Sequence, residues 1–337
     1  MIGSESAVQV GIVVATVVGL WIGARLLVDS VVRLARRIGL SELTIGLTVV
    51  AAGTSAPELV VTSDAALKGL GDIAVGNIVG SNIYNLAFVL GVVSMLRVVP
   101  IERSLVRRDG VALLASSVVG AYAVFDLTVT RLEGVVLLGL FAAYTGFLLR
   151  SGAGAEFENE NESEDGTDPD PDPDSAAVDA HAEEETHFRA RDVAALVGGL
   201  AVVLVSGDLM VGAASSLARG AGISEWVIGG TIVAAGTSTP EFAVSLVAIR
   251  SGRLGVSIGN IVGSNIFNFL GIMGLAAAIR PLALSGGVRS SVAWLLVVSA
   301  GLVAALWTGR RLSRSEGGLF VTSEVVRWVV GLLGGGQ

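Results

Sequence analysis

Long apolar segments alternate with short polar stretches along nearly all of the 337-residue chain. A helix needs about 20 consecutive apolar residues to cross the hydrocarbon core of a bilayer. Ten segments approach or exceed that length, at roughly 7–32, 44–67, 73–96, 109–129, 132–150, 192–217, 226–249, 254–279, 289–308 and 317–334. The last is the weakest, because Glu324 and Arg327 interrupt it. The pattern predicts an all-α polytopic membrane protein with ten transmembrane helices.

The two halves of the chain repeat each other at a constant offset of 183 residues. Residues 44–91 align without a gap to residues 227–274, and about half of the aligned positions are identical. Because each half holds five predicted helices, an odd number, the second half would start from the opposite side of the membrane. We therefore expect two inverted five-helix repeats, an arrangement typical of secondary transporters that bind their substrate at the repeat interface.

The distribution of Lys and Arg predicts an orientation. If the N-terminus lies outside, the inside loops carry fifteen of these residues and the outside loops carry five. Basic loops concentrate on the cytoplasmic side. We expect a plasma-membrane protein with both termini outside and the region between the repeats in the cytoplasm. No basic segment precedes the first apolar run, so we interpret that run as a spanning helix and not as a cleaved signal peptide.

Composition separates the membrane part from the region between the repeats. Charged residues make up only 15% of the chain, against about 25% in soluble domains. Residues 155–186 hold 14 of the 30 acidic residues and no Lys or Arg. Without this stretch the net charge would be +6 and not −8. We predict a first repeat over 1–150, a disordered acidic cytoplasmic linker over 151–188, and a second, inverted repeat over 189–337. The linker has two interpretations, a solvated tether or a Ca²⁺-binding regulatory segment, although the EF-hand spacing is absent.

An unusual motif, A-A-G-T-S-x-P-E, lies inside an apolar segment of each repeat, at residues 51–58 and 234–241. A proline lacks an N–H group and clashes with the carbonyl four residues earlier. We therefore expect broken helices 2 and 7, with the carbonyls near residues 51–54 freed from helical hydrogen bonds. Each motif ends in a glutamate, Glu58 or Glu241, and a charge in mid-bilayer costs about 2.5–3.5 kcal/mol. Such a residue indicates a functional site.

A second motif, G-N-I-V-G-S-N-I-x-N, follows at residues 76–85 and 259–268. Its Ser and Asn stand four residues apart, on one face of a helix, and its paired glycines allow a neighbouring helix to approach closely. The two motifs together supply carboxylate, amide, hydroxyl and carbonyl oxygens, with no His or Cys among them, and such a set selects hard cations such as Ca²⁺. The candidate residues are Ala51, Thr54, Ser55, Glu58, Ser81, Asn85, Ala234, Thr237, Ser238, Glu241, Ser264 and Asn268.

Structural roles are the alternative for several of these polar positions. For the motif serines the alternative to ion binding is a hydrogen bond to a carbonyl of their own helix. Helix packing or capping is the alternative for the motif glycines and for Asn77, Asn82, Asn260 and Asn265. Three further acids, Asp64, Asp72 and Asp208, have no acidic counterpart at the 183-residue offset. We interpret them as interfacial residues, or at most as residues along an ion access path.

These doubled motifs, "AAGTSAPE" with "GNIVGSNIYN" and "AAGTSTPE" with "GNIVGSNIFN", resemble the two alpha-repeats of the cation/Ca²⁺ exchanger superfamily. Within it the chain is most similar to prokaryotic Na⁺/Ca²⁺ exchangers, and the resemblance covers both membrane halves. It implies a ten-helix inverted-repeat fold in which helices 2, 3, 7 and 8 surround the ions and helices 1 and 6 slide across them. The implied function is secondary antiport of Na⁺ against Ca²⁺ by alternating access.

The resemblance also implies roles for the motif residues. Glu58 and Glu241 resemble the central Ca²⁺ carboxylates, which also bind Na⁺. Backbone carbonyls that bind Ca²⁺ are implied at Thr54 and Thr237. The residues that resemble Na⁺ ligands are Ala51, Ala234, Ser55, Ser238, Ser81 and Ser264. The polar pair that faces the acids is represented by Asn85 and Asn268.

Two alternatives for the counter-ion remain open, a Ca²⁺/H⁺ antiporter and a K⁺-dependent Na⁺/Ca²⁺ exchanger. Some relatives carry Asp where this chain has Asn268, which weakens the case for K⁺ coupling, and the proton-coupled branch shows a different first motif. Apart from the transported Ca²⁺ and Na⁺ and the lipid bilayer, the sequence indicates no partner. We expect no enzymatic activity, no cofactor and no nucleic-acid binding, and the sequence leaves the oligomeric state open, a monomer included.

Overall fold

The structure is a computed structural model that describes residues 4–100, 105–152, 190–220, 234–309 and 311–334. The predicted linker lies outside the described residues, apart from its first two positions, and so does the first part of predicted helix 7, residues 226–233. Helices account for nearly all of the remainder.

In the first half the helices begin and end close to the predicted spans. They are α1 (Ser4–Ile38), α2 (Glu42–Thr54), α3 (Ala56–Lys68), α4 (Gly71–Leu96), α5 (Val111–Ala123) and α6 (Arg131–Gly152). A π-helical turn, Leu105–Gly110, leads into α5, and Tyr84–Val89 in the middle of α4 is also π-helical. Two short strands, β1 (Val99–Pro100) and β2 (Thr128–Val129), flank α5.

The second half follows the same order. Its helices are α7 (Ala190–Gly220), α8 (Ala234–Thr237), α9 (Thr239–Arg250), α10 (Leu254–Ile279), α11 (Val288–Gly309) and α12 (Arg314–Gly334). Its strands are β3 (Leu282–Ala283) and β4 (Arg311–Leu312). The middle of α10, Phe267–Ile272, is π-helical, at the position that matches the π-helical segment of α4.

Among the described residues, six helices are long and apolar enough to cross a membrane. A seventh span results if α2 and α3, which meet at an angle of 50°, are counted as one bent helix. The protein is therefore a multi-pass membrane protein. The weak prediction for the last span is explained by Glu324, which is fully buried in α12 and paired with Arg327.

The two halves contact each other in a reciprocal manner. Strand β1 pairs with β4, whereas β3, the repeat counterpart of β1, pairs with β2, the counterpart of β4. Helix packing shows the same exchange, because Gly91 lies against Gly317 while their counterparts Gly274 and Gly134 lie against each other. These contacts relate the halves by an approximate two-fold exchange.

Two apolar clusters hold the helices together. The larger surrounds α4 and α10 and includes Ile78, Ile261 and Phe269, all fully buried. The smaller lies between α1, α7 and α9. Helix α1 runs along α7 with the backbones in close approach, since a Cβ on Gly23 would lie 2.9 Å from the carbonyl oxygen of Gly199. The pair α1–α7 thus packs as a unit beside the core formed by α4 and α10.

Candidate cation-binding site

The break in predicted helix 2 occurs at Ser55, between α2 and α3. Its φ and ψ of −81° and 15° lie outside the helical range, and Pro57 follows in the first turn of α3. Because proline has no N–H group, it fits the first turn of a helix, where that group would lack a partner. Glu58 stands in the same turn and is fully buried. The N-terminal end of the α3 dipole therefore favours its negative charge.

The second repeat has the same construction. The helix is interrupted at Ser238, between α8 and α9, where φ and ψ are −89° and 10°. Pro240 lies in the first turn of α9, and Glu241 is fully buried in the same turn. The sequence prediction that both motifs break a helix is confirmed. Two buried carboxylates thus stand at the N-termini of two helices.

Hydrogen bonds at the site cross between the repeats. Ser55 Oγ donates to Glu241 Oε1 at 2.8 Å, and Ser238 Oγ donates to Glu58 Oε1 at 2.9 Å. Ser81 of α4 adds a third hydroxyl, which lies 3.3 Å from Glu58 Oε1. Each carboxylate is therefore held by a serine from the other half of the chain.

The remaining carboxylate oxygens have no hydrogen-bond donor among the described residues. Both Glu58 Oε2 and Glu241 Oε2 are buried and unpaired, and so are the amide oxygens of Asn85 and Asn268. A buried polar atom without a partner costs about 1–3 kcal/mol, and more when it is charged. A bound cation would supply the missing interaction to all four oxygens, which is the chemistry expected of an oxygen-lined cation site.

Two asparagines, Asn77 and Asn260, donate hydrogen bonds to the broken helices, and we call them the bracing asparagines. Asn260 Nδ2 donates to the backbone carbonyl of Glu241 at 3.2 Å and to Ser245 Oγ at 3.0 Å. Its counterpart Asn77 donates to Thr62 Oγ1 at 3.1 Å, with the backbone carbonyl of Glu58 at 3.5 Å. The sequence left packing, capping and a functional role open for these asparagines. In the structure each donates hydrogen bonds to the helix turn that carries a glutamate.

Thr62 and Ser245 were missed by the sequence analysis. They stand one turn after each glutamate and receive the bracing asparagines. The sequence does show that both are hydroxyl residues at equivalent positions of the two repeats, 183 residues apart. That signal is detectable only once the glutamate has been chosen as the centre of the site.

One expectation about the backbone is wrong. The carbonyl of Ala51 is not freed by the break, because it accepts a hydrogen bond from the N–H of Ser55 at 3.1 Å. The helical bonding continues up to Ser55, and only beyond that residue does Pro57 interrupt it. The hydroxyl of Thr54 is also engaged, donating to Asn260 Oδ1 at 3.0 Å and to the carbonyl of Val50 at 3.1 Å.

The structure places all twelve predicted site residues on the broken helices or on α4 and α10. Eleven have buried side chains: Ala51, Thr54, Ser55, Glu58, Ser81, Asn85, Thr237, Ser238, Glu241, Ser264 and Asn268. Ala234 is the first residue of α8. Among the described residues no group of three or more His, Cys, Asp and Glu side chains is assembled that could hold a metal ion. The site therefore combines two carboxylates with neutral oxygens.

Comparison with known proteins supports this geometry. The family model described as sodium/calcium exchanger protein matches residues 8–150 and 192–330, which is most of both halves. The chain belongs to the sodium/calcium exchanger family. Members of this family are transporters and not enzymes. The two matched blocks leave out residues 151–191, which contain the acidic region.

The sequence matches to relatives cover most of the length of this chain. The chain is 34% identical over 288 residues to the putative antiporter CaxA of Alkalimonas amylolytica, covering 84% of this chain and 86% of that protein. It is 32% identical over 332 residues to the sodium/calcium exchanger MaX1 of Methanosarcina acetivorans, covering 91% and 94%. These matches include both repeats, so the family assignment does not rest on one motif.

A solved exchanger has the same fold. The structure of the sodium-calcium exchanger NCX_Mj soaked with Na⁺ and Sr²⁺ matches this exchanger-family chain with a TM-score of 0.78 at 27% identity, covering 99% of each chain. The same protein soaked with Na⁺ and Ca²⁺ matches with a TM-score of 0.77, covering 97% of this chain and 98% of that one. The family and this structural likeness support cation/Ca²⁺ exchange as the general activity.

Proposed function

We propose that this chain is a Na⁺/Ca²⁺ antiporter of the plasma membrane that works by alternating access. The proposal is carried by the unpaired carboxylate oxygens, Glu58 Oε2 and Glu241 Oε2, buried where the two repeats meet. Two carboxylates supply a charge of −2, which balances one Ca²⁺ or two Na⁺. The two ions therefore compete for the same charges, and such competition couples the export of one to the import of the other.

The proposed ligands follow the two motifs. Glu58 and Glu241 bind Ca²⁺ and share Na⁺, assisted by the backbone carbonyls of Thr54 and Thr237. The amide oxygens of Asn85 and Asn268, both unpaired, face the ions. The proposed Na⁺ ligands are the remaining oxygens of the motifs, which belong to Ala51, Ala234, Ser55, Ser238, Ser81 and Ser264.

The proposed topology has ten spans in two inverted five-helix repeats, 1–150 and 189–337, with helices 2 and 7 broken. The reciprocal pairing of β1 with β4 and of β2 with β3 supports a two-fold relation between the repeats. The bias of Lys and Arg supports external termini and a cytoplasmic acidic linker over 151–188. The close approach of the α1 and α7 backbones supports their movement as a pair relative to α4 and α10.

Na⁺ is favoured over the other counter-ions by the neutral polar pair. Asn85 and Asn268 are both fully buried amides, so neither adds a third acidic group that could carry a proton or hold K⁺. A cycle that exchanged three Na⁺ for one Ca²⁺ would move one net charge. It would therefore respond to the membrane potential, by about 2.3 kcal/mol per charge per 100 mV.

Uptake of ⁴⁵Ca²⁺ into proteoliposomes tests the proposal directly. Vesicles loaded with Na⁺ and diluted into Na⁺-free buffer are expected to accumulate Ca²⁺, with K⁺ absent and with pH equal on both sides. A matched series replaces the Na⁺ gradient by a pH gradient. Uptake driven by the pH gradient and not by Na⁺ would overturn Na⁺ coupling in favour of Ca²⁺/H⁺ exchange, and a requirement for K⁺ would indicate the K⁺-dependent alternative.

Glutamine variants test the site itself. Glu58→Gln and Glu241→Gln each halve the negative charge while preserving side-chain volume, so each should abolish exchange in protein that still folds. The matched control is Glu133→Gln, at the exposed start of α6, which should transport normally. Retention of exchange by either site variant would contradict the proposed role of the paired carboxylates.

A further inference from the structure

A cavity of about 540 Å³ lies between α3, α7 and the α8–α9 break. Pro57, Thr237 and Pro240 contribute to its lining. Pro57 directly precedes Glu58, and Pro240 directly precedes Glu241. The cavity therefore reaches the broken helices that form the candidate cation-binding site.

One side chain gives this cavity its charge. Asp208 of α7 is the only charged residue among the described residues of the lining, and it is exposed. Within the described part of the chain its carboxylate has neither a hydrogen bond nor an ion pair. The other described lining residues around it are mostly apolar, for example Leu204, Val205 and Val211. An unpaired acid in an apolar-walled cavity concentrates the electrostatic potential that attracts cations.

The direction in which the cavity opens follows from positions along the helices. Asp192, near the start of α7, pairs with Arg33 near the C-terminal end of α1. Asp208 lies about 24 Å further along α7 than Asp192. On α3 the lining continues from Pro57 to Val60 and Val61, toward Lys68. The cavity thus extends away from the Arg33–Asp192 end, toward the face that the proposed topology places outside.

The residue equivalent to Asp208 in the first repeat has the opposite charge. At the 183-residue offset the counterpart of Asp208 is Arg25 on α1, so equivalent positions on the α1–α7 pair carry opposite charges. Arg25 lies over the ring of Trp21 at 5.7 Å and is not part of the cavity lining. The inverted repeat would place Arg25 toward the cytoplasmic side. Asp208 would attract Ca²⁺ from outside, whereas the cation at its inner counterpart would not attract Ca²⁺.

We propose that Asp208 is a capture residue on the external ion path, which raises the apparent affinity for external Ca²⁺ and favours the divalent ion over Na⁺. This role rests on the proposed function. The preference for Ca²⁺ follows from Coulomb's law, because a carboxylate attracts a divalent ion twice as strongly as a monovalent ion at the same distance. Asp208 does not belong to the central ligand set, so it acts on affinity and access and not on the transport step itself.

The chain contains no cysteine, which permits a charge-restoration experiment. In right-side-out vesicles, Asp208→Cys is expected to raise the external Ca²⁺ concentration for half-maximal uptake roughly five- to tenfold, at the low end of the concentration effect of a focused charge. The effect on external Na⁺ should be smaller. Treatment with an impermeant anionic thiol reagent should restore near-native Ca²⁺ affinity, and a cationic reagent should lower that affinity further.

Asp64→Cys is the matched control. Asp64 is also an acid in the outer half of its helix, but it pairs with Lys68 at 2.6 Å and is not part of the described cavity lining. Its replacement and modification should leave Ca²⁺ affinity unchanged. An unaltered Ca²⁺ affinity in Asp208→Cys, or equal effects of the anionic and cationic reagents, would overturn the proposal.

The labelling rate of the introduced thiol separates this proposal from the proposed function. It is measured without ion gradients, so it can be read even if the unmodified protein shows no Na⁺-driven uptake, the result that would refute Na⁺/Ca²⁺ exchange. External Ca²⁺ should slow labelling at position 208 and not at position 64. A thiol at position 208 that reacts only from the inside would place the residue on the wrong side and overturn the capture role.

Discussion

Ser55 of the first repeat donates a hydrogen bond of 2.8 Å to the carboxylate of Glu241 in the second repeat. The reciprocal bond, from Ser238 to Glu58, is 2.9 Å long. Neither repeat can therefore complete its own carboxylate environment. The shared site explains why the chain carries its motif twice, and it couples any relative movement of the repeats to the geometry of the carboxylates.

Removal of either serine hydroxyl should weaken Ca²⁺ binding by a similar amount. A hydrogen bond to a charged group contributes about 1.5–3 kcal/mol, and loss of the hydroxyl also removes one oxygen from the proposed Na⁺ ligands. We expect Ser55→Ala and Ser238→Ala each to lower the apparent Ca²⁺ affinity by about tenfold or more, measured from the concentration dependence of ⁴⁵Ca²⁺ uptake.

Ser216→Ala provides the comparison for these variants. Its hydroxyl donates only to the carbonyl of Gly212, one turn earlier in α7, so its loss should leave Ca²⁺ affinity at the level of the unmodified protein. Unchanged affinity in both Ser55→Ala and Ser238→Ala would show that the crossed hydrogen bonds are structural and do not set the binding strength.

The two bracing asparagines should contribute unequally to stability. Asn260 is fully buried and makes three hydrogen bonds, including one accepted from Thr54 Oγ1 at 3.0 Å. Asn77 is half-buried and has one good hydrogen bond, to Thr62. At about 1 kcal/mol for each bond, Asn260→Ala should lower the thermal unfolding midpoint in detergent more than Asn77→Ala. Equal midpoints would contradict this difference between the repeats.

The breaks and the buried acids of the site were predictable because their causes are local. Pro57 and Pro240 interrupt a helix through their own missing N–H groups, and a glutamate inside an apolar segment needs a partner wherever it lies. The helix positions were predictable for a similar reason, since apolar segments of sufficient length are separated by polar turns. Repetition at one offset added the relation between the halves.

The features that the sequence did not reveal depend on contacts between distant segments. Which serine bonds to which glutamate is decided by how the repeats pack, so the crossing of Ser55 to Glu241 has no local signal. The same holds for Asn260, which binds Thr54 across 206 positions of the chain. The wrong expectation for Ala51 had another cause, because the backbone retains helical bonding up to Ser55, the residue at the break itself.

The ion pair within α12 should be important for stability. Glu324 is fully buried, and both of its oxygens accept from Arg327, Oε2 from Nε at 2.8 Å and Oε1 from Nη2 at 2.5 Å. Removal of one member of a buried pair leaves an uncompensated charge, which costs about 3–5 kcal/mol. Arg327→Gln should therefore lower the unfolding midpoint strongly. Glu324→Gln should lower it less, because Arg327 is partly exposed in a cavity of about 490 Å³.

The double variant Glu324→Gln/Arg327→Gln distinguishes a pair from two independent residues. Replacement of both charges removes the uncompensated group, so the double variant should be more stable than Arg327→Gln alone. Additive losses in the thermal midpoints would instead show that each residue contributes through separate contacts.

The start of α12 should give the protein a pH-dependent increment of stability. Glu316 Oε2 accepts hydrogen bonds from the Ser313 N–H at 2.8 Å and from Ser313 Oγ at 2.6 Å. These bonds lower the pKa of the Glu316 carboxyl below its ordinary value of 4.5. Folding therefore favours the deprotonated form, and the contribution is present above pH 4.5 and lost as the pH falls through the lowered folded-state pKa.

Thermal unfolding of Glu316→Gln across pH tests this expectation. The amide keeps the length of the side chain but removes its charge, so the variant should be less stable than the unmodified protein at pH 7, with the difference shrinking steadily below pH 4.5. In a Ser313→Ala background the same replacement should have a smaller effect, because the hydroxyl donor to the carboxylate is absent while the Ser313 N–H donor remains. A difference between Glu316→Gln and the unmodified protein that stays constant from pH 7 to pH 3 would show that the contribution of Glu316 is not linked to its charge.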